Sequence, residues 1–238
     1  MQDAIRRLTQ AQDVARTARK KGDALRRAGR PQADVFAAYE VGIKALESGL
    51  GAVGPARERL DAMGPTAQGE AVDFVNQLVE SWGALGGLRQ RVNRLQGALD
   101  SYSEGAALEK KFALASTYNR LNEVKQKLLI QPDVLLSELE PQIEAMARVI
   151  EGSLRTNQSL SNSGWAWADL GDCLALLGRT DEGARAYATF IAKAEIKSPE
   201  RTLDVLKLIA SKLQERHDPG AVRLQAAIVA LESRLAGR

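Results

Sequence analysis

Apolar residues recur at helical spacing along almost the whole chain. Phe36, Tyr39, Ile43 and Leu46 fall at i, i+3, i+7 and i+10. Trp167, Leu170, Leu174 and Leu177 repeat that spacing. Leu224, Ile228, Leu231 and Leu235 fall at i, i+4, i+7 and i+11. Such spacing puts the apolar side chains on one face of an α-helix. No alternating strand pattern interrupts it. The pattern predicts an all-α protein of about nine or ten helices joined by short links, as in packed helix pairs.

Breakers place the helix ends. Gly29-Arg30-Pro31 separates a long first helix from a second. Gly49 to Pro55 ends the second, and Met63-Gly64-Pro65 follows a short third. Gly86-Gly87 is expected to interrupt the next stretch, because Gly weakens a helix interior. Ser103 is expected to cap a long helix running through Leu128, with Glu104 in its first turn. Pro132 and Pro141 suit first-turn positions. Ser161-Asn162-Ser163 reads as a loop and cap. Ser198-Pro199-Glu200 and Asp218-Pro219 read as helix starts, a capping oxygen followed by Pro. The Ser- and Asn-rich stretch 153–163 is the expected joint between a region 1–152 and a region 164–238, the two forming one continuous solenoid.

The stretch GWAWADLGDCLALLGRTDEGARAYATF, Gly164 to Phe190, carries two of the three Trp and the single Cys. Its spacing is W-x2-L-G-x6-G-x2-D-E: Trp167, Leu170, Gly171, Gly178, Asp181 and Glu182, with Tyr187 five residues later. This resembles the tetratricopeptide repeat (TPR) family, whose unit is a helix pair of about 34 residues. Gly171 would admit a partner helix, Gly178 would take the turn and Tyr187 would pack back into the pair. Departures are Leu174 where the family has an aromatic, Phe190 where it has Ala, and a late Pro199. A weaker echo, GDALRRAGR, begins at Gly22 and shares six of nine positions with GDCLALLGR, its aromatic arriving at Tyr39. A fainter one ends at Tyr118. The resemblance implies a degenerate TPR-like α-solenoid of antiparallel helix pairs.

The same resemblance implies a site. Groove-facing positions of the first helix fall on Trp165, Ala168, Asp172, Ala175 and Leu176, with Asp169 beside them. Trp167 takes the family's core position. The family's carboxylate clamp uses Lys, Asn and Arg, whereas Asp169 and Asp172 would repel a carboxylate. A Trp with two Asp would favour a basic protein segment with an apolar anchor, although Trp165 could equally cover a neighbouring helix.

Charge adds a second candidate surface. The chain carries a net +3, but residues 1–30 hold nine Lys/Arg against three Asp. Arg19, Lys20, Lys21, Arg26 and Arg27 are the centre of that excess. No aromatic interleaves them before Phe36, so base stacking has no platform. A nucleic-acid role is the alternative reading, and a solvated face the plainer one.

The remaining chemistry is sparse. Gly49 to Gly54 matches G-x-G-x-x-G, but a helix precedes it and Pro55 follows, which a dinucleotide fingerprint does not tolerate. His217 is the only His and sits at a helix end, where its charge would suit the last carbonyls. No catalytic constellation, metal motif or cofactor motif can be built. A single Cys173 excludes an internal disulfide, reads as a buried small hydrophobe and fits a cytoplasmic location. No apolar run reaches the roughly 18 residues of a membrane span. The chain therefore reads as a non-catalytic interaction or adaptor module. A regulatory domain of a larger protein is the further alternative. The Tyr118-Asn119-Arg120 helix followed by the Trp hairpin resembles the TPR-like regulatory region of apoptosis-signalling kinases.

Overall fold

The structure is a computed structural model that describes residues 1–65, 68–194 and 203–236. Among them every regular element is helical. The chain forms two compact units, Met1–Leu114 and Ala115–Arg238.

The first unit contains α1 (Gln2–Arg27), α2 (Gln32–Gly51), α3 (Gly54–Met63), α4 (Glu70–Arg91) and α5 (Leu95–Lys111). The buried stripe of α1 is Ala4, Leu8, Ala11, Ala15, Ala18 and Gly22. Five of those six side chains are Ala or Gly, so α2 can approach closely along its whole length. A Cβ at Gly42 would meet Ala15 and Ala18 at 3.1 Å, and one at Gly49 would meet Ala11 at 2.8 Å. The chain reverses at Gly29, whose φ of 65° is open to Gly without strain. There Gly29 and Arg30 donate their N–H groups to the carbonyls of Arg26 and Leu25, which closes the helix end. Ile43 and Leu46 on α2 are fully buried, each contributing about 1.5–3 kcal/mol.

α4 covers one side of this hairpin. Gln12 donates to the Gln77 carbonyl at 3.1 Å and to Ser81 Oγ at 2.9 Å. Arg89 donates to the Gly97 carbonyl and to Ser101 on α5, and pairs with Glu47 of α2 at 2.9 Å. Gly86-Gly87 does not break α4. The ring of Tyr102 takes the space a Cβ at Gly86 would need, 2.7–2.9 Å away. The reversal comes later, at Asn93 with φ 62°. Ser103 is likewise interior to α5, and the expected helix from Ser103 to Leu128 is two helices, broken near Ala113 with φ 48°.

The second unit contains α6 (Tyr118–Ile130), α7 (Leu136–Thr156), α8 (Gln158–Ser163), α9 (Trp165–Leu176), α10 (Thr180–Ala194), α11 (Asp204–Glu215) and α12 (Gly220–Ala236). Pro132 lies in the α6–α7 connection, and Pro141 lies inside α7. The expected joint at 153–163 is the last turn of α7, an extended Asn157 and then α8. The unit boundary falls earlier, between Leu114 and Ala115. Ser198-Pro199-Glu200 lies outside the described residues. Asp218-Pro219 does start a helix, since Asp218 Oδ1 accepts the Gly220 N–H at 2.7 Å.

One core joins the helices of this unit. α9 packs on α7 and α10, and α12 packs on α10 and α11. α11 also returns to α6. Arg216 donates to the carbonyls of Gln131 and Leu129 there, at 2.8 and 3.1 Å. A stack in which each pair touches only its neighbours does not make that last contact.

Candidate functional site

The α9–α10 hairpin is built around Gly171. The Tyr187 ring lies 3.0 Å from where a Cβ on Gly171 would stand. Gly178 makes the turn with φ 72°, and Gly178 and Arg179 donate to the carbonyls of Ala175 and Leu174. Cys173, Leu174 and Tyr187 are buried beneath this crossing.

Trp165, Asp169, Asp172 and Leu176 share one face of α9, at i, i+4, i+7 and i+11. That face turns inward along its length. Trp165 is 65% exposed and packs on the Phe190 ring, centroids 5.2 Å apart. Ala168 and Asp169 are half-buried. Asp172 accepts from Lys125 Nζ at 2.6 Å and from the Tyr187 hydroxyl. Leu176 is fully buried. The expected binding face is therefore mostly turned inward, with Asp172 meeting Lys125 of α6, and its Trp165 end is the open part. Leu176 cannot reach a partner, and the charge of Asp172 is answered inside the protein.

Lys125 is the residue that sequence reasoning missed. It is buried within the stripe Leu121, Val124, Leu128 and Leu129. A lone cation on an apolar face was the available signal, because burial of an unpaired charge is costly. Burial alone would lower its pKa, but the charges of Asp172 and Asp169 and the Asp172 hydrogen bond outweigh it and raise it. Burial pushes the Tyr187 hydroxyl well up, and the nearby Asp172 carboxylate adds to that. Cys173 is likewise pushed well up, by burial first and then by Asp169 and Asp172. A protonated buried thiol is a poor nucleophile.

The opposite face of α9 opens onto a groove. Trp167, Leu170 and Leu174 form its floor together with Leu154 of α7 and Ala186 of α10, and its volume is about 410 Å³. The Trp167 indole N–H donates to the Ser161 carbonyl at 3.0 Å, which fixes the ring. Glu151, Arg155, Glu182 and Arg185 line the rim. Arg179 binds Glu182 through two bonds of 2.9 and 2.6 Å and reaches Glu144 at 3.5 Å. Those bonds hold the Glu182 carboxyl below its ordinary pKa. Among the described residues Arg155 and Arg185 form no direct ion pair; Arg155 donates to the Glu151 carbonyl, and the charge of Arg185 acts on Glu182 from a distance. Trp167 packs against the core, as its expected position implies, and also lines the open groove, while Trp165 packs on Phe190 of the neighbouring helix, the second of its two expected readings.

Among the basic residues of α1, Arg19, Lys20 and Lys21 are consecutive and fan out by about 100° each, whereas Arg19 with Arg26 and Lys20 with Arg27 recur at i, i+7; Arg26 pairs with Asp23 at 3.6 Å. Among the described residues no three His, Cys, Asp or Glu could hold a metal ion, and no helix is long and apolar enough to cross a membrane. His217 ends α11 in a left-handed conformation, φ 59°. Gly49 to Gly54 links α2 to α3, with no strand before it.

No protein-family model matches the chain, and no curated protein matches it.

Proposed function

We propose that the chain is a non-catalytic interaction module, built of TPR-like helix pairs, that holds a partner protein segment in the α7–α9–α10 groove. The observation that carries this reading is the groove itself. It pairs an apolar floor centred on a fixed Trp167 with two guanidinium groups, Arg155 and Arg185, that form no direct ion pair among the described residues. Apolar anchors flanked by oriented charge are the usual basis of segment recognition. Support for the TPR-like pairing comes from Gly171, Gly178 and Tyr187, which occupy the close approach, the turn and the packing position that the resemblance implies.

The partner differs in charge from the one the sequence suggested. Lys125 answers Asp172, so a basic segment has little to meet beside Trp165. Arg155 and Arg185 favour a segment with an apolar anchor and nearby Asp or Glu. A photo-crosslinking side chain placed at Thr189 should trap a discrete partner in cells that express the full chain. Ala186→Arg fills the floor with a charge and should reduce that product at least about tenfold. Equal crosslinking by a folded Ala186→Arg protein, or no discrete product, overturns the reading.

A further inference from the structure

The α1–α2 hairpin has one covered side and one open side. α4 lies on the covered side, held through Gln12. The other side is a shallow groove of about 810 Å³ along both helices. Val14 and Val41 stand in it 43% and 56% exposed. Between them the wall is small, Thr17 and Ala18 on α1 and Ala37 and Ala38 on α2, with Leu25 and Asp34 also lining it, Asp34 paired with Arg30 at 3.6 Å. α4 shows that this hairpin accepts a packed helix on one side, and the small wall leaves room for close packing on the other.

The charges in the groove identify the occupant. Asp13, Thr17 and Lys21 follow each other at i, i+4 and i+8, one stripe along α1. Asp13 and Lys21 are eight residues, about 12 Å, apart, with Thr17 at the midpoint. Lys21 has no ion-pair partner among the described residues, and Asp13 holds only the exposed Arg16 at 3.1 Å. A stripe with a carboxylate at one end, a cation at the other and a small residue midway is complementary to its own two-fold copy. An isologous contact of this kind brings residue i to j and j to i.

We infer that this face is a homodimer interface. α1 crosses α1 of a second copy at Thr17, with Asp13 of each protomer opposite Lys21 of the other. The two hairpins then cover each other's Val14 and Val41. The contact is independent of the groove on the second unit.

Sedimentation equilibrium of the full chain tests it. A reversible monomer–dimer equilibrium is expected. Lys21→Asp replaces two reciprocal attractions by two repulsions and should weaken the dimer about tenfold. Adding Asp13→Lys restores the complementarity and should recover most of the loss, with circular dichroism confirming that each variant is folded. Thr17→Cys lies on the two-fold axis and should form a disulfide-linked dimer under mild oxidation. Arg19→Cys, exposed and about 160° around α1 from Thr17, should not. A chain that stays monomeric to about 0.5 mM, a dimer indifferent to the charge swap, or equal crosslinking at both cysteines overturns the proposal.

Discussion

The ring of Tyr187 lies against the bare Cα of Gly171, three of its carbons 3.0 Å from where a Cβ would stand. The same relationship recurs twice. Tyr39 meets Gly22, with Cδ1 and Cζ at 2.6 and 2.7 Å from such a Cβ, and Tyr102 meets Gly86 at 2.7–2.9 Å. Seven residues after each Gly stands a left-handed residue, Gly29, Asn93 or Gly178, and an Arg follows each one. Alanine at these Gly positions gains helix propensity of about 1 kcal/mol but must displace a ring. Gly22→Ala should therefore destabilise by about 1–3 kcal/mol, and Gly171→Ala by less. Gly152, interior to α7 with open space around it, is the control: Gly152→Ala should stabilise by about 0.5–1 kcal/mol. Urea unfolding measures all three, and a common sign would refute the ring-contact account.

Two of these hairpins were legible in the sequence because both keep Gly-Asp before the turn and Gly at it. The third was not. There Gly87 replaces the Asp, and Asn93 supplies the left-handed residue, a role Asn fills because its short polar side chain eases that conformation. Gly86-Gly87 consequently read as a break, although α4 runs through both residues without interruption. The echo assigned at Tyr118 is instead the start of α6. The all-helical class was readable from spacing alone. The inward turn of the Trp165 face was not, since which face of α9 meets α6 depends on residues some fifty positions earlier, such as Lys125.

Asp172 joins Lys125 and Tyr187 in one buried network. Removing one member of a buried ion pair leaves the other charge uncompensated. Lys125→Met should cost about 3–5 kcal/mol. Lys125→Met combined with Asp172→Asn should cost clearly less than the sum of the two single changes, because the second removes the stranded charge. Strict additivity in chemical denaturation would show that the pair is not coupled.

The same network sets an alkaline limit. Cys173, Tyr187 and Lys125 all hold their protons more tightly in the fold than in the unfolded chain. The folded state then binds more protons than the unfolded state once an ordinary thiol begins to ionise, at about pH 8.5 to 9. Stability is complete below that range and falls above it, with Tyr187 and Lys125 joining from about pH 10. Cys173→Ala removes the earliest of these protons. Its unfolding free energy should decline less steeply between about pH 8.5 and 9.5, by up to about 1.4 kcal/mol per pH unit. Equal slopes for the two proteins would exclude the thiol as the cause.

Asp218 joins two helices that are far apart in sequence. Its Oδ2 accepts the N–H of Leu136, the first residue of α7, at 2.8 Å, while Oδ1 accepts the Gly220 N–H that opens α12. The carboxylate is 4% exposed, and its negative charge sits at the positive ends of both helices. His217 before it is held at φ 59°, a strained setting for a residue with a Cβ. Asp218→Ala would leave two buried N–H groups unsatisfied and should cost about 3 kcal/mol. Asp218→Asn keeps one acceptor oxygen and should cost about half of that. His217→Gly relieves the backbone and should stabilise by about 0.5–1 kcal/mol. Hydrogen exchange separates these effects: the Leu136 and Gly220 amides should exchange faster in Asp218→Ala and unchanged or slower in His217→Gly. If Asp218→Ala leaves both amides protected, another acceptor holds the α7 start, and the carboxylate is not what ties α12 to it.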